Sequence, residues 1–151
     1  QTDGKIVAAG KSISTSNEDF AVVRYNADGS LDTTFGTGGK VTTNIMFNDS
    51  ASAVVIQPDG KIVAAGSSTN TVSYDFALVR YNANGTLDTN FNGTGKLTTA
   101  IGSNDYAYSA IQQADGKLVA AGYSRNGSNY DFALVRYNSD GSLDTTFNGT
   151  G

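Results

Sequence analysis

Aspartate is the reactive residue that this sequence repeats. Asp3, Asp19 and Asp32 return 56 positions later as Asp59, Asp75 and Asp88, and again as Asp115, Asp131 and Asp144. Asp28 returns as Asn84 and then as Asp140. Carboxylates at fixed spacing can hold a cation, work in pairs on a glycosidic bond, or bond to the backbone of a turn. Cys and His are both absent. Thiol nucleophiles, disulfides, the usual zinc sites and His-based acid–base catalysis are therefore excluded. There is a single Glu, and neither a G-x-S-x-G motif nor a phosphate loop occurs. Because every Asp belongs to a repeat, structural roles come first, and no catalytic residue and no cofactor is expected.

Three of these positions have a metal alternative. Asn26, Asp28 and Asp32, with their counterparts Asn138, Asp140 and Asp144, match the later positions of a D-x-[DN]-x-D-G-x-x-D calcium loop. Calcium requires six to eight oxygens, several of them from carboxylates. The first position of that loop is Arg24, Arg80 or Arg136, a cation where a ligand belongs. The expectation is that each Arg pairs with an Asp of its own or a neighbouring unit, so that a guanidinium replaces the metal. For Asp19, Asp75 and Asp131 the expectation is bonding to backbone N–H groups at the start of a strand, with a cation held at an axis as the alternative.

A second group is aromatic. Tyr74, Tyr106, Tyr108, Tyr123 and Tyr130 lie in or beside segments that differ between copies, together with Asn104, Asp105, Arg125 and Asn129. Rigid aromatics next to adaptable polar groups suit a surface for glycans or protein partners. The first copy lacks most of these tyrosines, so no symmetric site is expected.

The elements that must position these residues follow from the repeat. Asp3-Gly4-Lys5, Arg24-Tyr25-Asn26 and Leu31-Asp32 recur without a gap, giving copies at about 1–56, 57–112 and 113–151, the last incomplete. Each copy reads as four short strands, at 51–57, 61–66, 75–82 and 95–99 in the best-defined case. Asp-Gly and Asn-Gly between apolar runs mark hairpins. Ile62-Val63-Ala64-Ala65 and Phe76-Ala77-Leu78-Val79 are continuous apolar runs, which require burial on both faces. Stacked sheets supply that. The fold expected is all-β, a β-propeller of four-stranded antiparallel blades, with a β-solenoid and a β-sandwich as lesser alternatives. No helical stripe is present. No apolar run is long enough to span a membrane. With net charge −4 and no basic stripe, nucleic acid is not an expected partner.

The stretch SAVVIQPDGKIVAAG…YDFALVRYNANGTLDTNFNGTGK resembles the delta-60 repeat family of secreted bacterial proteins, and its layout is similar to NHL-type blades. The resemblance covers the whole chain. It implies a propeller and a secreted or cell-surface location in a bacterium, and no particular activity. It also implies that each blade's first strand lies nearest the axis. The near-invariant turns 58–60 and 82–85 then share one face. The variable segments 11–18, 67–74 and 123–130, with 44–50 and 100–106, share the other.

The function expected is a non-catalytic module for protein interaction, adhesion or assembly. A lectin-like module binding glycans through the variable face is the alternative, and a carbohydrate-active enzyme is a lesser one. Three blades are too few to close an ordinary propeller. Another copy, or more of a longer chain, is expected to complete the ring.

Overall fold

A computed structural model describes residues 1–13 and 16–151. Ten strands follow one another: β1 (Ile6–Ile13), β2 (Glu18–Tyr25), β3 (Lys40–Thr43), β4 (Asn48–Ile56), β5 (Ile62–Thr69), β6 (Tyr74–Tyr81), β7 (Lys96–Thr99), β8 (Asp105–Gln112), β9 (Leu118–Asn126) and β10 (Asn129–Tyr137). They form three antiparallel sheets, β1-β2-β3, β4-β5-β6-β7 and β8-β9-β10. Among the described residues only the second sheet has four strands. Sheets and sequence copies are out of step. The second sheet takes β4 from the first copy and β5, β6 and β7 from the second.

The continuous apolar runs are explained by stacking. Val63, Ala65, Phe76 and Leu78 pack on one side of the second sheet against Leu118, Ala120, Ala133, Val135 and Tyr137 of the third. Ile62, Ala64, Ala77, Val79 and Tyr81 pack on the other side against Phe20 and Val22 of the first. Every residue of β5 is buried, so a two-residue alternation would leave one of its faces badly matched. Full burial of each large apolar side chain contributes about 1.5–3 kcal/mol.

The hairpin turns are set by local chemistry. Gly60 and Gly85 adopt φ of 82° and 89°, a region open to Gly without steric penalty. Asp3, Asp59 and Asp115 each accept the backbone N–H two residues on, as turn aspartates do.

The variable segments differ from their expected form. β5 continues to Thr69 and β6 begins at Tyr74, so 67–69 are strand and only 70–73 connect. At 123–130 the strands run on until Gly127 and Ser128 alone form the turn. Ser68 is polar yet buried, because its hydroxyl bonds to Asp49 at 2.5 Å. Of the segment 11–18, Ser14 and Thr15 lie outside the described residues. No helix is long and apolar enough to cross a membrane, among the described residues.

Candidate functional site

The tyrosines expected at the variable end come together. They sit at matching ends of their strands. Tyr74 opens β6, Tyr106 and Tyr108 lie early in β8, Tyr123 lies late in β9, and Tyr130 is the second residue of β10. Antiparallel pairing places Tyr106 opposite Tyr123, and Tyr130 opposite Arg125. The Tyr74 ring stacks on Tyr106 with centroids 5.0 Å apart, so the group bridges the second and third sheets. Tyr106 meets Tyr123 at 5.2 Å, and Tyr123 meets Tyr130 edge-on at 5.1 Å. Tyr108 completes the group at 5.5 Å from Tyr123, with 3.4 Å between the two hydroxyls. A bulge in β8 between Ala107 and Ser109 inserts Tyr108 as the extra residue, which re-aims its side chain.

Arg125 lies over the Tyr130 ring at 5.9 Å and donates from Nε to the Gly127 carbonyl. Asn129 pairs with Asn126 across the tight turn and is exposed. Gly127 supplies the positive φ that a two-residue hairpin needs. Burial, then the neighbouring tyrosines, raises the Tyr106 phenol above its ordinary pKa. The hydrogen bond with Tyr108 raises that of Tyr123. These phenols stay neutral at physiological pH, available as rings and as hydrogen-bonding hydroxyls.

Asn104 and Asp105 do not join this surface. Asn104 ties two sheets together, accepting the Tyr74 N–H through Oδ1 at 3.1 Å. Asp105 is fully buried, and its carboxylate accepts the N–H groups of Ile101 and Gly102. Asp49 does the same for Ile45 and Met46. These two aspartates fold the segments between sheets; bonding to backbone N–H groups at the start of a strand was expected of Asp19, Asp75 and Asp131. The signal for them was present in the paired Asn48-Asp49 and Asn104-Asp105. Asp19 instead accepts from the Asn44 side chain, and Asp75 has the Ser73 hydroxyl at 3.4 Å. Burial first, and the charge of Asp105 second, push the Asp75 carboxyl above the usual range.

At the opposite end, the calcium-loop residues have other partners. Arg24 Nε donates to Asp32 Oδ2 at 2.7 Å, and Lys5 lies 3.0 Å from the same oxygen. Asp32 Oδ1 accepts from the Thr34 hydroxyl and N–H. Thr34 first, then Lys5 and Arg24 against the penalty of burial, hold this carboxyl far below the usual range. Asp28 accepts from Ser30, and Asn26 donates to Ser30 and to the Leu31 carbonyl. Asn138, Asp140 and Asp144 repeat the arrangement, with Arg136 and Lys117 as the cations. Guanidinium and ammonium thus share one carboxylate oxygen of each loop, Asp32 Oδ2 or Asp144 Oδ2, and Ser and Thr groups bond the other carboxylate oxygens. Among the described residues no group of three or more Asp, Glu, His or Cys could hold a metal ion.

The arginine also joins one sheet to the next. Arg24 Nη1 donates to the Ala83 carbonyl at 2.5 Å, and Arg80 Nη1 donates to the Ser139 carbonyl at 2.5 Å. Each guanidinium lies over a phenylalanine ring, Phe35, Phe91 or Phe147, at 4.6–4.7 Å. A family model described as a domain of unknown function (DUF5122) beta-propeller matches residues 1–35, 57–91 and 113–147. The chain belongs to that family. The match takes in the Arg, Asp and Phe of all three copies. It leaves out 36–56 and 92–112, where Tyr106 and Tyr108 lie. The matched parts hold β1-β2, β5-β6 and β9-β10 with the Arg–Asp–Phe group of each copy, while β3, β4, β7 and β8 and part of the tyrosine cluster lie outside them. No curated protein matches the chain.

Proposed function

We propose that the chain is a non-catalytic, secreted or cell-surface bacterial propeller module that serves protein interaction, adhesion or assembly. Its sheets act as four-stranded blades about an axis, and the ring is completed beyond the three sheets described. The observation that carries the interaction reading is the five-tyrosine cluster with Arg125, at the end of the sheets where the copies differ. Locked aromatic rings contribute contact area at low entropic cost. Most of the aspartates that could support catalysis, among them Asp3, Asp32, Asp49 and Asp105, are engaged in turns, loop caps or ion pairs, which favours a binding role over an enzymatic one.

A glycan is the second reading, favoured by successive aromatic rings beside Arg125 and Asn129. One experiment separates the two. The chain and its Tyr123→Ala/Tyr130→Ala variant are applied to a glycan array and to immobilised bacterial surface proteins. Binding to either that falls at least tenfold in the variant, with folding retained, is the expected result. Array signal assigns a glycan, and its absence at high protein concentration removes that reading. Binding that is equal in both chains overturns the assignment of this surface.

A further inference from the structure

Two cavities open at the turn ends of the sheets, opposite the tyrosines, one at each junction. Gln57, Asp59, Lys61 and Arg80 line the cavity between the second and third sheets, which has a volume of about 430 Å³. Gln1, Asp3, Lys5 and Arg24, each 56 positions earlier, line the one between the first and second, of about 740 Å³. Where the copies differ, the walls differ. Gln112 and Ser139 on the second cavity stand where Ile56 and Ala83 stand on the first. One arrangement of charge is thus built twice, with a different lining beside it. Both volumes lie in the range of small-molecule sites, about 300–1,000 Å³.

Three groups on the second cavity are unpartnered or loosely held. Gln57 is 6% exposed, and its amide Oε1 is buried without a hydrogen bond. The same atom is unpartnered in Gln1 and Gln113. A buried acceptor normally has a donor. Gln57 lines both cavities, so rotation of its amide would present Oε1 to a molecule in either. Arg80 donates from Nε to Asp88 and from Nη1 to the Ser139 carbonyl, and among the described residues its Nη2 has no acceptor. Lys61 differs from its counterparts. Lys5 and Lys117 reach the buried Asp32 and Asp144, while among the described residues Lys61 pairs only with Asp59, whose side chain is 52% exposed. An ion pair so exposed holds its ammonium weakly. The hydrogen bond from Lys61 lowers the Asp59 pKa against the effect of burial, so this carboxylate is ionised at neutral pH.

From these groups we infer that the cavity between the second and third sheets binds a small α-amino acid. Lys61 and the free guanidinium nitrogen of Arg80 call for a carboxylate. Asp59 and the unpaired Gln57 oxygen call for an ammonium. The carboxylate of the amino acid accepts from Lys61 Nζ and Arg80 Nη2 in charge-assisted bonds. Its ammonium donates to Asp59 and to Gln57 Oε1. A simple anion meets Asp59 as a like charge, and a simple amine meets Lys61 and Arg80, so the zwitterion is preferred to either half. Gln112 and Ser139 line the rest of the cavity and suit a polar side chain such as that of serine. The site is separate from the tyrosine cluster and goes beyond the function proposed for it.

Titration of the isotope-labelled chain, followed by its amide resonances, tests the site. L-serine is expected to shift the Gln57 side-chain amide and the backbone amides of Asp59, Gly60 and Lys61, and to saturate. Acetate and methylammonium, each one half of the ligand, are expected to need at least about tenfold higher concentrations. Lys61→Met and Gln57→Leu are each expected to weaken L-serine binding by about tenfold or more, with resonances elsewhere unchanged. A response that does not saturate by about 100 mM L-serine overturns the inference. So does acetate as effective as L-serine, which would mean an adventitious anion only, and so does binding that is unchanged in both variants. Where a variant fails to fold, the comparison of L-serine with acetate and methylammonium on the wild type decides alone. The Tyr123→Ala/Tyr130→Ala variant is expected to bind L-serine as the wild type does, which keeps this test apart from that of the tyrosine surface.

Discussion

Asp75 shows how one carboxylate can oppose the fold that contains it. It is buried, its hydrogen bond to Ser73 is long, and the Asp105 charge repels it. Its pKa is raised, so folding favours the protonated form. The stability tied to that proton is fully present below the unfolded value of about 4 and is lost as pH rises through the folded value. Asp32 and Asp144 have the opposite sign. Their pKa values are lowered, so their contribution is complete above about pH 4 and is lost as pH falls toward the folded values. Asp75→Asn is therefore expected to raise the melting temperature at pH 7, with the gain disappearing near pH 3. Melting curves of both chains across that range check it, and a loss of stability at pH 7 would assign Asp75 a favourable partner instead. Sequence alone could not separate these aspartates, since Asp32 and Asp75 recur with equal regularity. What separates them is the cations beside Asp32, where Asp75 has the Asp105 charge instead, and only the Arg24 pairing was legible, from a guanidinium at a ligand position.

Among the elements, β4 and β8 decide how closely the second and third sheets are built. β4 carries a bulge between Ala51 and Ala53, and β8 carries one between Ala107 and Ser109. Opposite the first, a Cβ on Gly66 would lie 1.9 Å from Ser50 O. Gly66→Ala is expected to cost about 2–4 kcal/mol, as strain at a crowded backbone site does. Gly10 occupies the same repeat position in the first sheet and has nothing within 4 Å. Gly10→Ala is expected to be neutral or slightly stabilising, because it restricts the unfolded chain. Urea unfolding of the two variants checks the contrast, and equal losses would reject it. The strands themselves were largely legible, because apolar runs and Asp-Gly turns are local signals. Their loop-side ends were not. Ser67, Ser68 and Thr69 read as loop by polarity, yet pairing with β4 and the Asp49 carboxylate keeps them in the ladder. Likewise Asp105 read as a surface residue, although its carboxylate is turned inward onto two backbone N–H groups.

At the scale of the whole molecule, the chain is a stack whose middle sheet is enclosed and whose outer sheets each keep one apolar face open. The proximity of the tyrosines also belongs to this scale. Tyr74 and Tyr106 are distant in sequence and meet only because the second and third sheets stack. Sequence clustering suggested a shared surface, but the cross-sheet contact required the stacking order. The most direct test of that order compares one residue in two copies, Phe76→Asp and Phe132→Asp, by thermal melting at a concentration too low for association. A charge at Phe76 lies between two sheets with no partner, and the loss expected is at least about 4 kcal/mol, from lost burial and an unpaired charge together. At Phe132 the side chain already faces water, and the melting temperature is expected to match that of the wild type. Equal destabilisation of the two variants, or a stable Phe76→Asp chain, would contradict the stacking on which this account depends.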